Sequence, residues 1–74
     1  MDKLQEEYQR IELALDKYEK GELKIMATYS EIKKVEQSMI DLAGKNQTMK
    51  LLVRTLIETA RLRVKEIKLN RRIG

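Results

Sequence analysis

The sequence has no cysteine, no histidine and no proline. Without cysteine there is no disulfide, no thiolate metal site and no thiol nucleophile. Without histidine the chain lacks the commonest general base, the commonest metal ligand and the side chain that titrates near neutral pH. Glycine is limited to Gly21, Gly44 and Gly74, and the aromatic residues are three tyrosines. Long apolar runs are missing as well. Leu51-Leu52-Val53 is among the longest, far short of the ~20 residues that cross a bilayer. No apolar segment of the signal-peptide kind follows the N-terminus. The expectation is a cytoplasmic protein with no membrane partner. No stretch alternates polar and apolar residues between turn signals, so strands are not expected.

What is present is charge and helix-forming residues. Charged residues make up 38% of the 74 and apolar residues 42%, the composition of long helices. A chain this short is one domain, here residues 1–74, with a small core.

One spacing dominates the first half. Leu4, Tyr8, Ile11, Leu15, Tyr18, Glu22, Ile25, Tyr29, Ile32, Glu36 and Met39 follow a 4-3-4-3 alternation, the seam of a left-handed coiled coil. Asp2 suits an N-cap, with Glu6 and Glu7 near the positive end of the helix dipole. The heptad phase is the same on both sides of Gly21. That continuity predicts a single helix over about 2–43. The alternative is a break near Gly21, which makes a three-helix bundle. Thr28 with Glu31 resembles a capping box and marks another place for a break. Beyond Gly21 the face widens, with Met26 and Ile40 on one side and Val35 and Leu42 on the other. Of the seam acids, Glu22 and Glu36 read as rim residues paired with cations of the following helix.

Ala43-Gly44-Lys45-Asn46-Gln47 is a turn. Gly44 suits the left-handed residue after a helix, and Asn46 or Thr48 suits the next N-cap. A second, shorter and basic helix then covers about 47–72. Met49, Leu52, Val53, Leu56, Ile57, Ala60, Val64 and Ile67 share one face of it, which is its core face. A loop this short makes the two helices antiparallel neighbours. The expected fold is therefore all-α, a two-helix antiparallel hairpin with a coiled-coil seam.

Such a hairpin leaves two apolar surfaces bare. At about 1.5 Å per residue the second helix is too short to cover Leu4, Tyr8, Ile11 and Leu15. Leu51, Leu62, Leu69 and Ile73 point the opposite way from the second helix's core face. Exposed apolar stripes mark contact with another chain. These eight residues are the expected partner interface, formed with a second copy in an oligomeric bundle or with another helical protein.

Charge divides the chain. Residues 1–44 carry seven Lys/Arg against ten Asp/Glu, and residues 45–74 carry nine against two. Lys50, Arg54, Arg61, Lys65, Lys68 and Arg72 form a ladder on one flank of the second helix. It reads as a solvated flank, or as a site for an anionic partner such as nucleic acid. No aromatic interleaves with it, so base stacking has no platform.

Catalysis finds no motif. The carboxylates follow solvated faces, and Ala43-Gly44-Lys45-Asn46 lacks the spacing of a phosphate-binding loop. No enzyme activity, cofactor or metal is expected. The run Leu51-Leu52 followed by Ile57-Glu58-Thr59-Ala60 resembles the second helix of the small co-chaperones of type III secretion needle subunits, over about ten residues. That resemblance implies a two-helix hairpin that binds a protein partner. The expected function is a non-enzymatic protein–protein interaction module: an assembly, adaptor or chaperone-like subunit. The alternatives are a small basic helical nucleic-acid-binding regulator and a co-chaperone of the needle type.

Overall fold

The computed structural model describes residues 3–73, with side chains from Lys3 to Arg71. The Asp2 cap and the side chains of Arg72 and Ile73 lie outside the described residues. The described chain is all-helical, with α1 at Lys3–Glu19, α2 at Ile25–Ala43 and α3 at Gln47–Ile73. Helix α2 runs back along α1, and α3 runs back along α2. Helices α1 and α3 are thus parallel neighbours in an up-down-up bundle of 43 × 20 × 17 Å.

The two-helix hairpin is therefore corrected to the three-helix alternative, with the break at Gly21. Helix α1 ends in a Schellman turn. The Gly21 amide donates to the Tyr18 carbonyl at 3.0 Å and the Glu22 amide to the Lys17 carbonyl at 2.8 Å. Gly21 carries the φ of +81° that this turn requires and that a Cβ disfavours. Continuity of the heptad is no evidence of a continuous helix here. Tyr18, the last buried residue of α1, and Ile25, the first residue of α2, are seven positions apart. The turn happens to preserve the phase. Glu22 occupies the exposed turn instead of a seam. Thr28 starts no helix. It is fully buried within α2, and its hydroxyl donates to the Lys24 carbonyl at 2.9 Å.

The second turn agrees with expectation. Helix α2 stops at Ala43, Gly44 has a φ of +56°, and the Asn46 Oδ1 accepts the Met49 amide at 3.1 Å. That hydrogen bond satisfies one of the free amides at the start of α3.

The three seams meet in one core. Ile11, Ile32, Val35, Met39, Val53, Ala60 and Val64 are at its centre. Ile11 is 0% exposed and Leu15 4%. The N-terminal overhang is thus covered by its own chain, and Leu4, Ile11 and Leu15 are core residues, not a partner interface. The core face of α3 holds at Val53, Ile57, Ala60, Val64 and Ile67. Met49 and Leu56 are partly buried against it, while Leu52, at the margin of that face, is exposed. Among the residues that widen α2, Val35 is buried, and Met26, Ile40 and Leu42 are exposed.

Candidate interaction surface

With the seams consumed, the remaining apolar surface lies outside the bundle. Leu51 is 64% exposed, Leu62 58% and Leu69 56%. Spaced by eleven and seven residues, they fall within a narrow arc of α3, opposite its core face. The row is about 27 Å long at 1.5 Å per residue. Thr55 sits along it and Thr59 on its flank. The Thr55 hydroxyl donates to the Leu51 carbonyl at 3.0 Å and the Thr59 hydroxyl to the Thr55 carbonyl at 2.9 Å. Their hydroxyls are taken up by the helix's own backbone, and the charges along the row are those of the exposed Glu58 and Lys65.

The basic ladder lies between this row and the core face, along the groove where α3 meets α2. Among the described residues, Arg61 pairs with Glu36 of α2 at 3.5 Å, as the rim reading of Glu36 requires. Lys50, Arg54, Lys65 and Lys68 are exposed and have no ion-pair partner among the described residues. The groove has a volume of about 630 Å³. Ile40 and Leu51 supply its exposed apolar lining, over the buried Val53 and Ile57. Lys50, Arg54 and Arg61 supply its cations, and Glu36 and Glu58 line it as well.

The opposite flank of α3 is different. Arg63 lies beside Tyr8, Glu12, Asp16 and Glu19 of α1. Here the acidic first half and the basic second half complement each other within one chain. Tyr8, expected at a partner interface, is half-buried in this seam. Burial pushes its hydroxyl above the usual tyrosine range. Glu12 adds to the rise and Arg63 opposes it. On the α1–α2 side, Arg10 bridges Glu7 at 3.1 Å and Glu31 at 3.2 Å.

Of the eight interface residues expected from sequence, Leu51, Leu62 and Leu69 stand on the surface, Leu4, Ile11 and Leu15 go to the core, Tyr8 sits between, and the side chain of Ile73 lies outside the described residues. The surface also includes Leu13, Met26, Ile40 and Leu42. Ile40 alone joins Leu51 in the groove. Its departure from the strict seam positions was the signal for it. Among the described residues no group of three or more carboxylates is placed to hold a metal ion. No described helix is long and apolar enough to cross a membrane. No family model, curated protein or solved structure matches the chain.

Proposed function

We propose that the chain is a non-enzymatic protein–protein interaction module, an assembly, adaptor or chaperone-like subunit that binds through α3. One observation carries this reading. Leu51, Leu62 and Leu69 stand in line on the outer face of α3, more than half exposed, after the bundle has already filled its core. A partner helix laid along this row gains roughly 25 cal/mol for each Å² of apolar surface removed from water. The test compares the wild-type chain with a Leu62→Asp, Leu69→Asp variant. Light scattering of the pure protein reads self-association, and cross-linking in cells of the source reads other partners. Association that persists in the variant refutes the reading.

A second reading has its own support. Four exposed cations of the ladder, Lys50, Arg54, Lys65 and Lys68, lack an acid partner among the described residues. A small basic nucleic-acid-binding regulator uses such a ladder to neutralise phosphates. Its affinity falls steeply with salt and is lost on Arg54→Glu with Arg61→Glu. The co-chaperone reading keeps only its protein-binding element, because the hairpin it implies has two helices and this chain forms three.

A further inference from the structure

Leu51, at the N-terminal end of the apolar row, and the unpaired Lys50 and Arg54 line the same groove, and an occupant has to satisfy both. We propose that the α2–α3 groove seats an acidic amphipathic helix of about four turns, contributed by a different protein. This rests on the protein-interaction reading and specifies the partner's chemistry.

A second copy of the chain satisfies the surface poorly. Along the outer face of α3 the seam positions read Leu51, Thr55, Glu58, Leu62, Lys65 and Leu69. Two such helices side by side and antiparallel bring Arg54, Arg61 and Lys68 opposite the same residues of the other copy, since like flanking positions face each other in that arrangement. Parallel pairing removes that clash and creates another. It sets Glu58 against Glu58 and Lys65 against Lys65. Either orientation opposes like charges, which disfavours a self-pair.

A lipid surface fits no better. Glu58 stands in the row between Leu51 and Leu62, and hydrocarbon offers a carboxylate no partner. The interfacial aromatic anchors of membrane-bound helices are missing too, since Tyr18 is buried and Tyr8 and Tyr29 are half-buried. Nucleic acid answers the cations and leaves Ile40 and Leu51 in water.

An acidic amphipathic helix answers the groove's exposed apolar residues and its surplus of cations together, since Lys50, Arg54 and Arg61 outnumber Glu36 and Glu58 there. Its apolar residues at i, i+3, i+4 and i+7 cover Ile40 and Leu51, which are 40% and 64% exposed, in the helix-in-groove mode of recognition. Its carboxylates meet Lys50 and Arg54, which no acid of this chain's described residues holds. The α3 edge of the groove runs from Gln47 to Arg61, about 21 Å of helix, which sets the occupant's length at about 14 residues.

The experiment uses the full chain and four fluorescent probes at low and moderate salt. One is a synthetic peptide of about 16 residues with leucines at those spacings and glutamates flanking them. The second has lysines for the glutamates, the third serines for the leucines, and the fourth is a DNA duplex. The inference expects the acidic leucine peptide to bind at least about tenfold more tightly than the other two peptides. Lys50→Glu with Arg54→Glu, and separately Leu51→Asp, should each weaken it by about tenfold or more at unchanged melting temperature. Equal affinity for the acidic and basic peptides overturns the inference, as does failure of the acidic peptide to bind. Duplex binding that survives Leu51→Asp, with no preference for the acidic peptide, also overturns it and assigns the groove to polyanions. If the acidic peptide fails while Leu62→Asp with Leu69→Asp still releases a cellular partner, the groove assignment falls and the interaction reading stands. If both fail, both fall.

Discussion

The guanidinium carbon of Arg71 lies 5.2 Å from the centroid of the Tyr18 ring. This contact ties the last turn of α3 to the last turn of α1, beside the turn that reverses the chain. A cation over an aromatic face contributes about 0.5–1 kcal/mol at an exposed site. Arg71→Ala should lower the unfolding free energy by about that amount, read from urea titration. Arg71→Lys should recover part of it.

Gly21 is the second anchor of the same corner. Its φ is +81°, and a Cβ there would come within 3.0 Å of the Arg71 Nη2. Gly21→Ala should cost about 1–2 kcal/mol, which for a domain this size lowers the melting temperature by about 4–8 °C per kcal/mol. A calorimetric scan showing no loss would contradict the turn at this position.

Closure of the bundle within one chain can be tested at Ile11. Ile11→Val should cost about 0.5–1.5 kcal/mol. Both wild type and variant should unfold at urea midpoints independent of protein concentration, because the residues covering Ile11 belong to the same molecule. A midpoint that rises with concentration would return Ile11 to an intermolecular interface.

Raising the pH should destabilise the protein through Tyr8. Its pKa is raised in the folded state, chiefly by burial, so the neutral form is the one the fold favours. The associated stability is fully present below the unfolded tyrosine value of about 10 and is lost as pH climbs through the folded value. Melting temperatures measured from pH 8 to about 11.5 should fall for wild type at the alkaline end. Tyr8→Phe should flatten that fall. Equal curves would exclude Tyr8 as the cause.

Exposed leucines behave differently from buried ones. Leu62→Asp should alter stability by no more than about 0.5 kcal/mol, because Leu62 is outside the core. Circular dichroism melts check this, and they also establish that any loss of association belongs to the surface.

Helix α3 was legible in the sequence almost completely. Asn46 and Gly44 punctuate its start, and the core face at Val53, Ile57, Ala60, Val64 and Ile67 repeats at helical spacing. The leucine row was legible for the same reason, since it lies opposite that face. The first turn was legible only as the alternative, a break near Gly21. Five residues replace what would otherwise be part of one long helix, and they leave Tyr18 and Ile25 one heptad apart. A Schellman turn needs only its glycine, so no capping sequence announced it. Glu22, a charge at a seam position next to Gly21, was the local sign. Leu4, Ile11 and Leu15 were the global one, because apolar residues without cover argue for a chain that folds back. Leu52 misled because a residue at the edge of an apolar arc is decided by the neighbouring helix, which sequence spacing does not locate.

The turns have a consequence for kinetics. Residues 20–24 join α1 to α2 and residues 44–46 join α2 to α3. With so little chain to close, each adjacent pair of helices finds its partner at small entropic cost, and domains dominated by such local contacts fold in microseconds to milliseconds. The docking of α1 beside α3 is the exception. It joins segments from opposite ends of the chain, so it carries the larger loop-closure cost.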